Sequence, residues 1–414
     1  MLFGLYLLSI YLACLVPASQ SACDQGWFGA PCQFKCRCAK GCDVSGVCVN
    51  ATSCSLGWFG PLCQYQDLAN IGATATPNTS KATDGDDTSC SSLQNLTLSW
   101  PTAYFINWVQ FIIPNASIAT LPVMTFRVSQ ATNSTTLPCL NNQTKVYNTN
   151  TVDVYCTLTS AVQLMTLTFA SNTSGLSVCS IYISGGRNLA LKAATTQTSN
   201  YTSGVFIYDS SKAVDGNTSN DFNQNSCSST NPGKVYWNLT FAQTVNVNRF
   251  ILYNRKDLQD RLKGFKLLTL SRNNMTFNYT DKQTTALSVY TISPNTTVAA
   301  DSISISVDNT LTLCEVEIYG DNTCDNKKFG MNCSKCRCND TNEICFPTTG
   351  SCLSGCASGY FGDGCQQVCA PGSYGLQCKQ TCGYCADIVC NPDNGVCPKG
   401  CVDGYTGPQC NQSR

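Results

Sequence analysis

Cysteine spacing constrains the fold of this chain more than any other feature of its sequence. The chain has 31 cysteines among 414 residues, and three segments carry eight each at closely similar spacing. In each segment, eight residues separate the first cysteine from the second and the seventh from the eighth. Segments this short cannot bury a large apolar core, so cross-links must stabilise them. We therefore expect cysteine-rich modules at 22–65, 322–367 and 368–411.

The same cysteines indicate a compartment. Thiols at this density stay reduced in the cytosol, whereas disulfide-rich modules are typical of secreted proteins. Residues 1–21 form an apolar run followed by small residues, which predicts a signal peptide. Asn-X-Ser/Thr sequons occur from Asn50 to Asn411, which predicts a glycoprotein. No later run is apolar enough to span a bilayer, so we expect a secreted protein or the ectodomain of a membrane receptor.

Charge and histidine content exclude several functions. Lys plus Arg and Asp plus Glu are balanced at 25 each, and charged residues make up 12% of the chain. No basic surface for nucleic acid or an anionic membrane is therefore predicted. The chain has no His, which removes the commonest general base and most zinc sites. Nothing in the sequence supports an enzyme. A zinc-binding cysteine module is the rival interpretation of the cysteines, and an oxidising compartment disfavours it.

Residues 66–321 have the patterning of β-strands. Val235, Trp237 and Leu239 alternate with polar residues, as expected for a strand with one buried face. Turn residues separate such runs, and no long helical period occurs. We therefore expect a mostly β middle region built from antiparallel sandwiches.

This middle region also repeats itself. The motif S-K-A-T-D-G-D at 80–86 returns as S-K-A-V-D-G-N at 211–217. Two cysteine pairs occupy equivalent positions, and an extra pair in the first repeat is predicted to bridge a hairpin. We predict two tandem domains of one fold, at 66–186 and 187–321. The equivalent pairs are Cys90 with Cys179 and Cys227 with Cys314, and the extra pair is Cys139 with Cys156.

A polar constellation follows if Cys227 is bonded to Cys314. Such a bridge makes Ser226 and Glu315 spatial neighbours, and the Asp215 turn can join them. A hydroxyl, two carboxylates and nearby backbone carbonyls form an all-oxygen donor set, which suits Ca²⁺. The alternative is a plain Asp-Gly turn beside a solvent-facing glutamate.

The loop from Arg255 to Arg261 is a second candidate site. An arginine offers a planar fork of donors that suits pairs of hydroxyl groups. Asp257 lies between the two arginines and can hold one guanidinium in place. The alternative is a surface ion pair of negligible energy.

These motifs, taken in order, resemble an F-type lectin (fucolectin) domain. They are N-L-A-L-K-A-A-T at 188–195, S-K-A-V-D-G-N at 211–217, N-S-C-S-S-T at 225–230, Y-N-R-K-D-L-Q-D-R-L-K-G-F at 253–265 and L-C-E-V-E-I-Y-G at 313–320. The resemblance covers 187–321 well and 66–186 weakly. The cysteine-rich modules are similar to EGF-like domains of the laminin and multiple-EGF type. The resemblance implies jelly-roll sandwiches and calcium-dependent binding of fucose.

The resemblance also implies ligands for both sites. The implied calcium ligands are the backbone oxygens of Lys212, Asn217 and Cys314 and the side chains of Asp215, Ser226 and Glu315. The implied sugar ligands are Arg255 and Arg261, with Ser229 at the position of the family's histidine and Asp257 between the arginines. This chain departs from the family at Ser229 and at Leu258-Gln259, which replace the histidine and a stacking cysteine pair. We therefore expect weak or altered glycan binding.

The first repeat lacks both sets of ligands. Ser180 stands where the second repeat has Glu315, and Ala116 stands where it has Arg255. We expect a structural copy without a calcium or sugar site. The expected function is extracellular lectin-like recognition or adhesion, with Ca²⁺ as cofactor and a glycan as partner. The alternative is a scaffold or scavenger-type receptor ectodomain whose EGF-like modules bind an extracellular protein.

Overall fold

The computed structural model describes residues 23–29, 32–51, 53–77, 81–115, 121–146, 149–169, 175–324, 327–330, 333–362 and 364–414. The predicted signal peptide at 1–21 and Ala116 lie outside these residues. No helix in these ranges is both long enough and apolar enough to cross a membrane. The predicted mostly β architecture is confirmed, because strands dominate and the helical segments described are short 3-10 turns. Those turns are Val49–Ala51, Lys81–Thr83, Ser210–Val214, Phe222–Gln224, Gln259–Leu262 and Leu376–Cys378.

The three cysteine-rich modules share one disulfide pattern. In each module the first cysteine is bonded to the second, the third to the fifth, the fourth to the sixth and the seventh to the eighth. Every cysteine from Cys23 to Cys410 is in a disulfide, the sandwich cysteines included. None of these described cysteines is therefore free to ligate zinc, and the rival zinc interpretation is wrong.

Among its described residues, each module has two hairpins of two-residue strands. In each hairpin at least one aromatic residue is paired with a residue of the other strand. The pairs are Trp27–Phe28 with Phe34–Lys35, Trp58–Phe59 with Tyr65–Gln66, Lys328–Phe329 with Ser334–Lys335, Tyr360–Phe361 with Gln367–Val368, Ser373–Tyr374 with Gln380–Thr381, and Tyr405–Thr406 with Gln412–Ser413.

The first sandwich packs a five-stranded antiparallel sheet against a four-stranded one. Its core contains Trp100, Phe111 and Phe126, all fully buried. The larger sheet has the order Thr136–Leu137, Val123–Arg127, Val162–Thr168, Asn95–Tyr104, Thr74–Thr76. The smaller sheet has the order Leu140–Val146, Thr151–Thr157, Trp108–Ile112, Ser180–Ile183, and Ser91–Leu93 pairs separately with Leu176–Val178. Disulfides join Cys90 to Cys179 and Cys139 to Cys156.

The second sandwich is built around one continuous eight-stranded sheet. Its core contains Trp237, Phe250 and Phe265. Six strands follow one another across the sheet in the order Arg187–Asn188, Glu315–Asn322, Val235–Tyr253, Val298–Val307, Lys266–Ser271, Asn274–Thr280. Two further strands, Ala194–Gln197 and Val289–Ile292, also pair with Val235–Tyr253. Two small hairpin-like pairs complete it, Tyr201–Ser203 with Phe206–Tyr208 and Ser228–Ser229 with Thr312–Leu313.

The two halves of the 19-residue strand Val235–Tyr253 pair with different strands, the first with Ala194–Gln197 and the second with Val289–Ile292. Val235, Trp237 and Leu239 are buried while the residues between them are more exposed, as the alternation predicted. The register shifts between Thr240 and Val245 against one neighbour. Such shifts bend a strand and allow it to pass from one layer to the other.

Aromatic contacts join the first module to the first sandwich. The ring centroid of Phe59 lies 4.6 Å from that of Trp108, and Tyr65 lies 5.1 Å from the same ring. Arg249 joins the two sandwiches, with its guanidinium carbon 5.0 Å from the ring centroid of Tyr104 and 4.3 Å from that of Tyr319. These contacts hold the N-terminal module beside both sandwiches.

Candidate functional site

The candidate metal loop begins where the 3-10 helix Ser210–Val214 ends. Asp209 caps this helix by accepting a hydrogen bond from the Ser211 N–H at 2.9 Å. The turn that follows places Gly216 at φ 78°, in the left-handed region that favours glycine. The cap and the glycine together turn the chain so that Asp215 and the Gly216 peptide face the strand that begins at Glu315.

Glu315 is fully buried at the start of the strand Glu315–Asn322. Its Oε1 accepts a hydrogen bond from the Gly216 N–H at 3.1 Å. Its Oε2 is buried and has no hydrogen-bond partner among the residues that the structure describes. Burial and the nearby carboxylate of Asp215 raise the pKa of Glu315 to about 9. The structure thus holds a carboxyl group in the interior without enough positive charge to keep it ionised.

Asp215 is half-buried beside the same turn. Its Oδ1 accepts a hydrogen bond from the Asn217 N–H at 2.9 Å. Burial raises the pKa of Asp215, and Lys192, Lys212 and Lys35 oppose that rise. Both carboxyl groups of the predicted cation site therefore lie in an environment that disfavours negative charge.

The remaining predicted metal ligands lie on the segments that lead to Asp215 and Glu315 or are joined to Glu315 through the disulfide. Cys314 is bonded to Cys227, which places Ser226 and Glu315 each beside one half of the bridge. The buried Ser226 hydroxyl donates to the carbonyl of Asp221 at 2.8 Å. Lys212 Nζ donates to the Asn225 carbonyl at 3.2 Å, and Asn217 is exposed.

The donor set fits a hard divalent cation. Two carboxylates, a hydroxyl and backbone carbonyls are the oxygen ligands that Ca²⁺ takes. Glu315 Oε2 has no hydrogen-bond partner among the described residues, so its lone pairs are available to coordinate such a cation. A dication beside both carboxyl groups would also offset the cost of burying their charge.

Arg255 is held firmly in the second candidate site. Its Nη2 lies 2.6 Å from Asp257 Oδ2, and its Nε donates to Asp257 Oδ1 at 3.1 Å. The guanidinium carbon lies 4.0 Å from the ring centroid of Phe222. The Arg255 side chain is only 5% exposed, while that of Asp257 is 49% exposed. Because one partner is buried and the geometry is bidentate, this pair differs from a loose surface ion pair.

Arg261 is the more accessible arginine of the loop. Burial lowers the pKa of Arg261, and the neighbouring guanidinium of Arg255 lowers it further. In the described part of the chain, no hydrogen bond or ion pair engages its guanidinium. Two exposed apolar side chains are available nearby: Leu258, which is 59% exposed, lies in the same loop, and Tyr201, which is 38% exposed, has its ring centroid 6.4 Å from that of Phe222. A donor fork beside apolar surface is a combination suited to a sugar ring.

Ser229 does not share this surface. It is 1% exposed, and its hydroxyl lies 3.3 Å from the Thr312 hydroxyl in the interior. Its backbone carbonyl accepts a hydrogen bond from Gln197 Nε2 at 3.1 Å. Arg255 and Asp257 are thus paired in the loop that also carries Arg261, whereas Ser229 is buried and its contacts with Thr312 and Gln197 lie outside that loop.

Sequence reasoning missed the segment that connects the two candidate sites. Asp221 caps the short helix Phe222–Gln224 and pairs with Lys256 Nζ at 2.8 Å. Phe222 stacks on Tyr208 with ring centroids 4.2 Å apart, and the Arg255 guanidinium packs on the Phe222 ring. The signal available was the aspartate-aromatic pair between two motifs, and it carries little specificity by itself. This segment contacts both Ser226 of the predicted metal site and Arg255 of the predicted sugar site.

One family model matches part of the second sandwich. Residues 212–310 match the F5/F8 type C family model described as a NedA-like, galactose-binding domain. No curated protein gives a significant match to the chain.

Several solved structures resemble parts of the chain. A fucose-binding module from Streptococcus pneumoniae is 24% identical, covers 33% of this chain and 97% of its own, and has a TM-score of 0.30. The lectin domain of lectinolysin complexed with Lewis b antigen is 23% identical, covers 32% and 96%, and has a TM-score of 0.30. A fucolectin from striped bass (Morone saxatilis) serum is 20% identical, covers 63% and 99%, and has a TM-score of 0.31.

Proposed function

We propose that the second sandwich is a calcium-dependent glycan-binding domain within an extracellular recognition protein. The observation that carries the proposal is the buried, half-satisfied carboxyl of Glu315 beside the Asp215 turn. The family match over residues 212–310 supports a carbohydrate ligand, since the matched family is described as galactose-binding.

In this proposal the calcium ion is held by six oxygen donors. They are the carboxylates of Asp215 and Glu315, the hydroxyl of Ser226 and the backbone oxygens of Lys212, Asn217 and Cys314. When bound, the ion supplies positive charge that fixes the 215–226 segment. That segment carries Asp221 and Phe222, which in turn support Lys256 and Arg255.

The sugar is bound by side chains of the chain itself. Arg261 donates hydrogen bonds to adjacent hydroxyl or ring oxygens, and Arg255 adds donors not engaged by Asp257. Leu258 and Tyr201 pack against the apolar face of the ring. Because one arginine is largely buried and Ser229 is in the interior, the contact is shallow. We expect a dissociation constant on the order of 1 mM for a monosaccharide.

A glycan array tests the ligand class. The full chain with calcium should bind fucosylated or galactosylated glycans, and chelator should abolish binding. Arg261→Ala should abolish the same signals, while the matched variant Lys263→Ala, at an exposed lysine of the same loop, should keep them. An array without calcium-dependent signals would contradict the proposal.

The proposal extends to the rest of the chain. The disulfides of the cysteine-rich modules require an oxidising compartment, which supports secretion. We propose that these modules are EGF-like and that they space and present the lectin-like domain.

A second candidate function has one observation in its favour. A cleft of about 570 Å³ lies where the first sandwich meets two cysteine-rich modules, and Trp58, Asp87, Tyr182 and Gly364 are among its lining residues. Such a cleft suits a segment of an extracellular protein partner. Partner capture that survives Arg255→Ala with Arg261→Ala, but is lost on deleting 324–410, would favour this function.

A further inference from the structure

The first cysteine-rich module places two side chains against the Asp215–Gly216 turn. Trp27 and Lys35 are direct partners in a short antiparallel ladder, so their side chains project from the same face. Lys35 Nζ donates a hydrogen bond to the Gly216 carbonyl at 2.6 Å. A Cβ at Gly216 would lie 3.3 Å from Lys35 Nζ and 3.4 Å from Trp27 Cη2. The module therefore covers the candidate metal loop in direct contact.

This lysine is positioned by its surroundings. Gln64 Nε2 donates to the Lys35 carbonyl at 2.7 Å, which fixes the backbone that carries it. Beside it, the paired Trp27 ring has Lys192 Nζ of the second sandwich 4.7 Å from its centroid. The Lys35 ammonium is thus held at the interface between the module and the sandwich.

The contact places a positive charge next to the two carboxyl groups of the metal loop. The Gly216 peptide donates its N–H to Glu315 Oε1 and accepts from Lys35 Nζ through its carbonyl. Burial raises the pKa of both Asp215 and Glu315, and Lys35 is among the charges that oppose the rise. Three lysines oppose the rise in the pKa of Asp215. Lys192 and Lys212 belong to the second sandwich itself, and Lys35 belongs to the separate N-terminal module.

The equivalent turn of the first sandwich receives an apolar residue from the same module. A Cβ at Gly85 would lie 2.8 Å from Leu56 Cδ1. In that sandwich Ser180 takes the place of Glu315, so the turn has one buried carboxyl group fewer. Lys35 thus contacts the turn at Gly216, beside the buried Glu315. Leu56 contacts the turn at Gly85, which has no equivalent glutamate.

We propose that the Lys35 ammonium, held in place by the first module, competes electrostatically with a divalent cation at the site formed by Asp215 and Glu315. Lys35 thereby sets the calcium affinity of that site. The proposal rests on the calcium site of the proposed function. A lysine ammonium and a bound dication repel each other across the shared turn. Docking of the first module and binding of calcium therefore oppose one another, and by linkage each weakens the other by the same factor.

Neutral substitution of Lys35 in the full chain tests this inference. Lys35→Gln keeps a donor for the Gly216 carbonyl but removes the charge, and Lys35→Arg keeps the charge. The matched control is Lys40→Gln, at an exposed lysine of the same module. Calcium titration calorimetry should give an affinity about five- to tenfold tighter for Lys35→Gln, at the low end of usual coupling factors. Lys35→Arg and Lys40→Gln should bind like the unsubstituted chain.

The outcomes separate this inference from the function on which it rests. If all variants bind calcium and Lys35→Gln binds no more tightly than the unsubstituted chain, the competition is overturned and the calcium site stands. If no variant binds calcium, the proposed function fails and the inference with it. Melting in chelator verifies folding, and Lys35→Met provides a second neutral variant that should also bind calcium more tightly.

Discussion

Glu315 Oε1 accepts a hydrogen bond from the Gly216 N–H at 3.1 Å across 99 positions of sequence. The second oxygen of the same carboxyl group, Oε2, has no hydrogen-bond partner in the described part of the chain. A buried carboxyl group satisfied on one side only is costly for a fold to retain. Coordination of a cation by the unsatisfied oxygen would offset this cost in stability.

Calcium binding should release a proton from Glu315. Burial raises the pKa of Glu315 to about 9, so the metal-free carboxyl is protonated at pH 7, whereas a metal ligand must be ionised. Calorimetric titrations at pH 7 in two buffers of different ionisation enthalpy should report about one proton released per ion. Equal apparent enthalpies in the two buffers would mean that Glu315 is not a ligand.

The metal-free protein should lose stability as pH rises. The folded-state pKa of Glu315 is raised above the usual glutamate value of 4.5 to about 9, so the native state keeps a proton that the unfolded chain has lost. Between about pH 5 and 9 the free energy of unfolding should fall by up to about 1.4 kcal/mol per pH unit. Urea unfolding in chelator at pH 5, 7 and 9 measures this slope.

Glu315→Gln should flatten that dependence, because an amide does not titrate. Asp308→Asn, at an exposed carboxylate of the same sandwich, is the matched control and should leave the slope unchanged. A slope that persists in Glu315→Gln would assign it to other groups.

Arg261→Ala should remove glycan binding without harming the fold. The side chain is half-buried and its guanidinium is not engaged in the described part of the chain, so the free energy of unfolding should change by less than about 0.5 kcal/mol. Arg255→Ala should also weaken binding, but it strands Asp257 and uncovers Phe222, and should cost about 1 to 3 kcal/mol of stability. Thermal melting and fucose titration of both variants provide the two readouts. Loss of stability in Arg261→Ala with binding intact would reverse these roles.

Ser229→Ala should leave glycan affinity unchanged. The Ser229 hydroxyl is buried and lies 3.3 Å from the Thr312 hydroxyl, so its removal should cost about 1 kcal/mol of stability. A marked loss of sugar affinity at unchanged calcium affinity would place Ser229 in the sugar site after all.

The bridge between Cys227 and Cys314 should matter for calcium as well as for folding. It closes a separation of 87 positions, and replacing both cysteines by serine should cost about 4.5 kcal/mol. It should also weaken calcium binding, because Glu315 and Ser226 flank the bridge. The matched control replaces Cys139 and Cys156, which are 17 positions apart in the first sandwich. That change should cost about 3 kcal/mol and leave the calcium affinity of the second sandwich unaltered.

The strands of the second sandwich were accessible from sequence because burial follows the side-chain alternation locally. Val235, Trp237 and Leu239 are buried as their alternation predicts. The bulge between Thr240 and Val245 was not predictable, because register depends on neighbouring strands that are far away in sequence. The disulfide pairing within the modules was equally inaccessible, since eight cysteines permit about a hundred pairings.

The candidate site, too, could be predicted from the sequence only in part. Asp215 and Arg255 occur in short motifs with the residues beside them, and such motifs can be found in one sequence. Lys35 contacts Gly216 across 181 positions, and Phe222 supports Arg255 through ring packing. Neither contact leaves a local pattern, because both depend on how the module and loops pack in three dimensions.

Titration of L-fucose into the full chain is the most direct test of the central claim. With saturating calcium the unsubstituted chain should bind with a dissociation constant on the order of 1 mM, and chelator or Glu315→Gln should abolish the heat of binding. Binding of equal strength in calcium, in chelator and in Glu315→Gln, or no binding of L-fucose at tens of millimolar in calcium, would contradict a calcium-dependent fucose site.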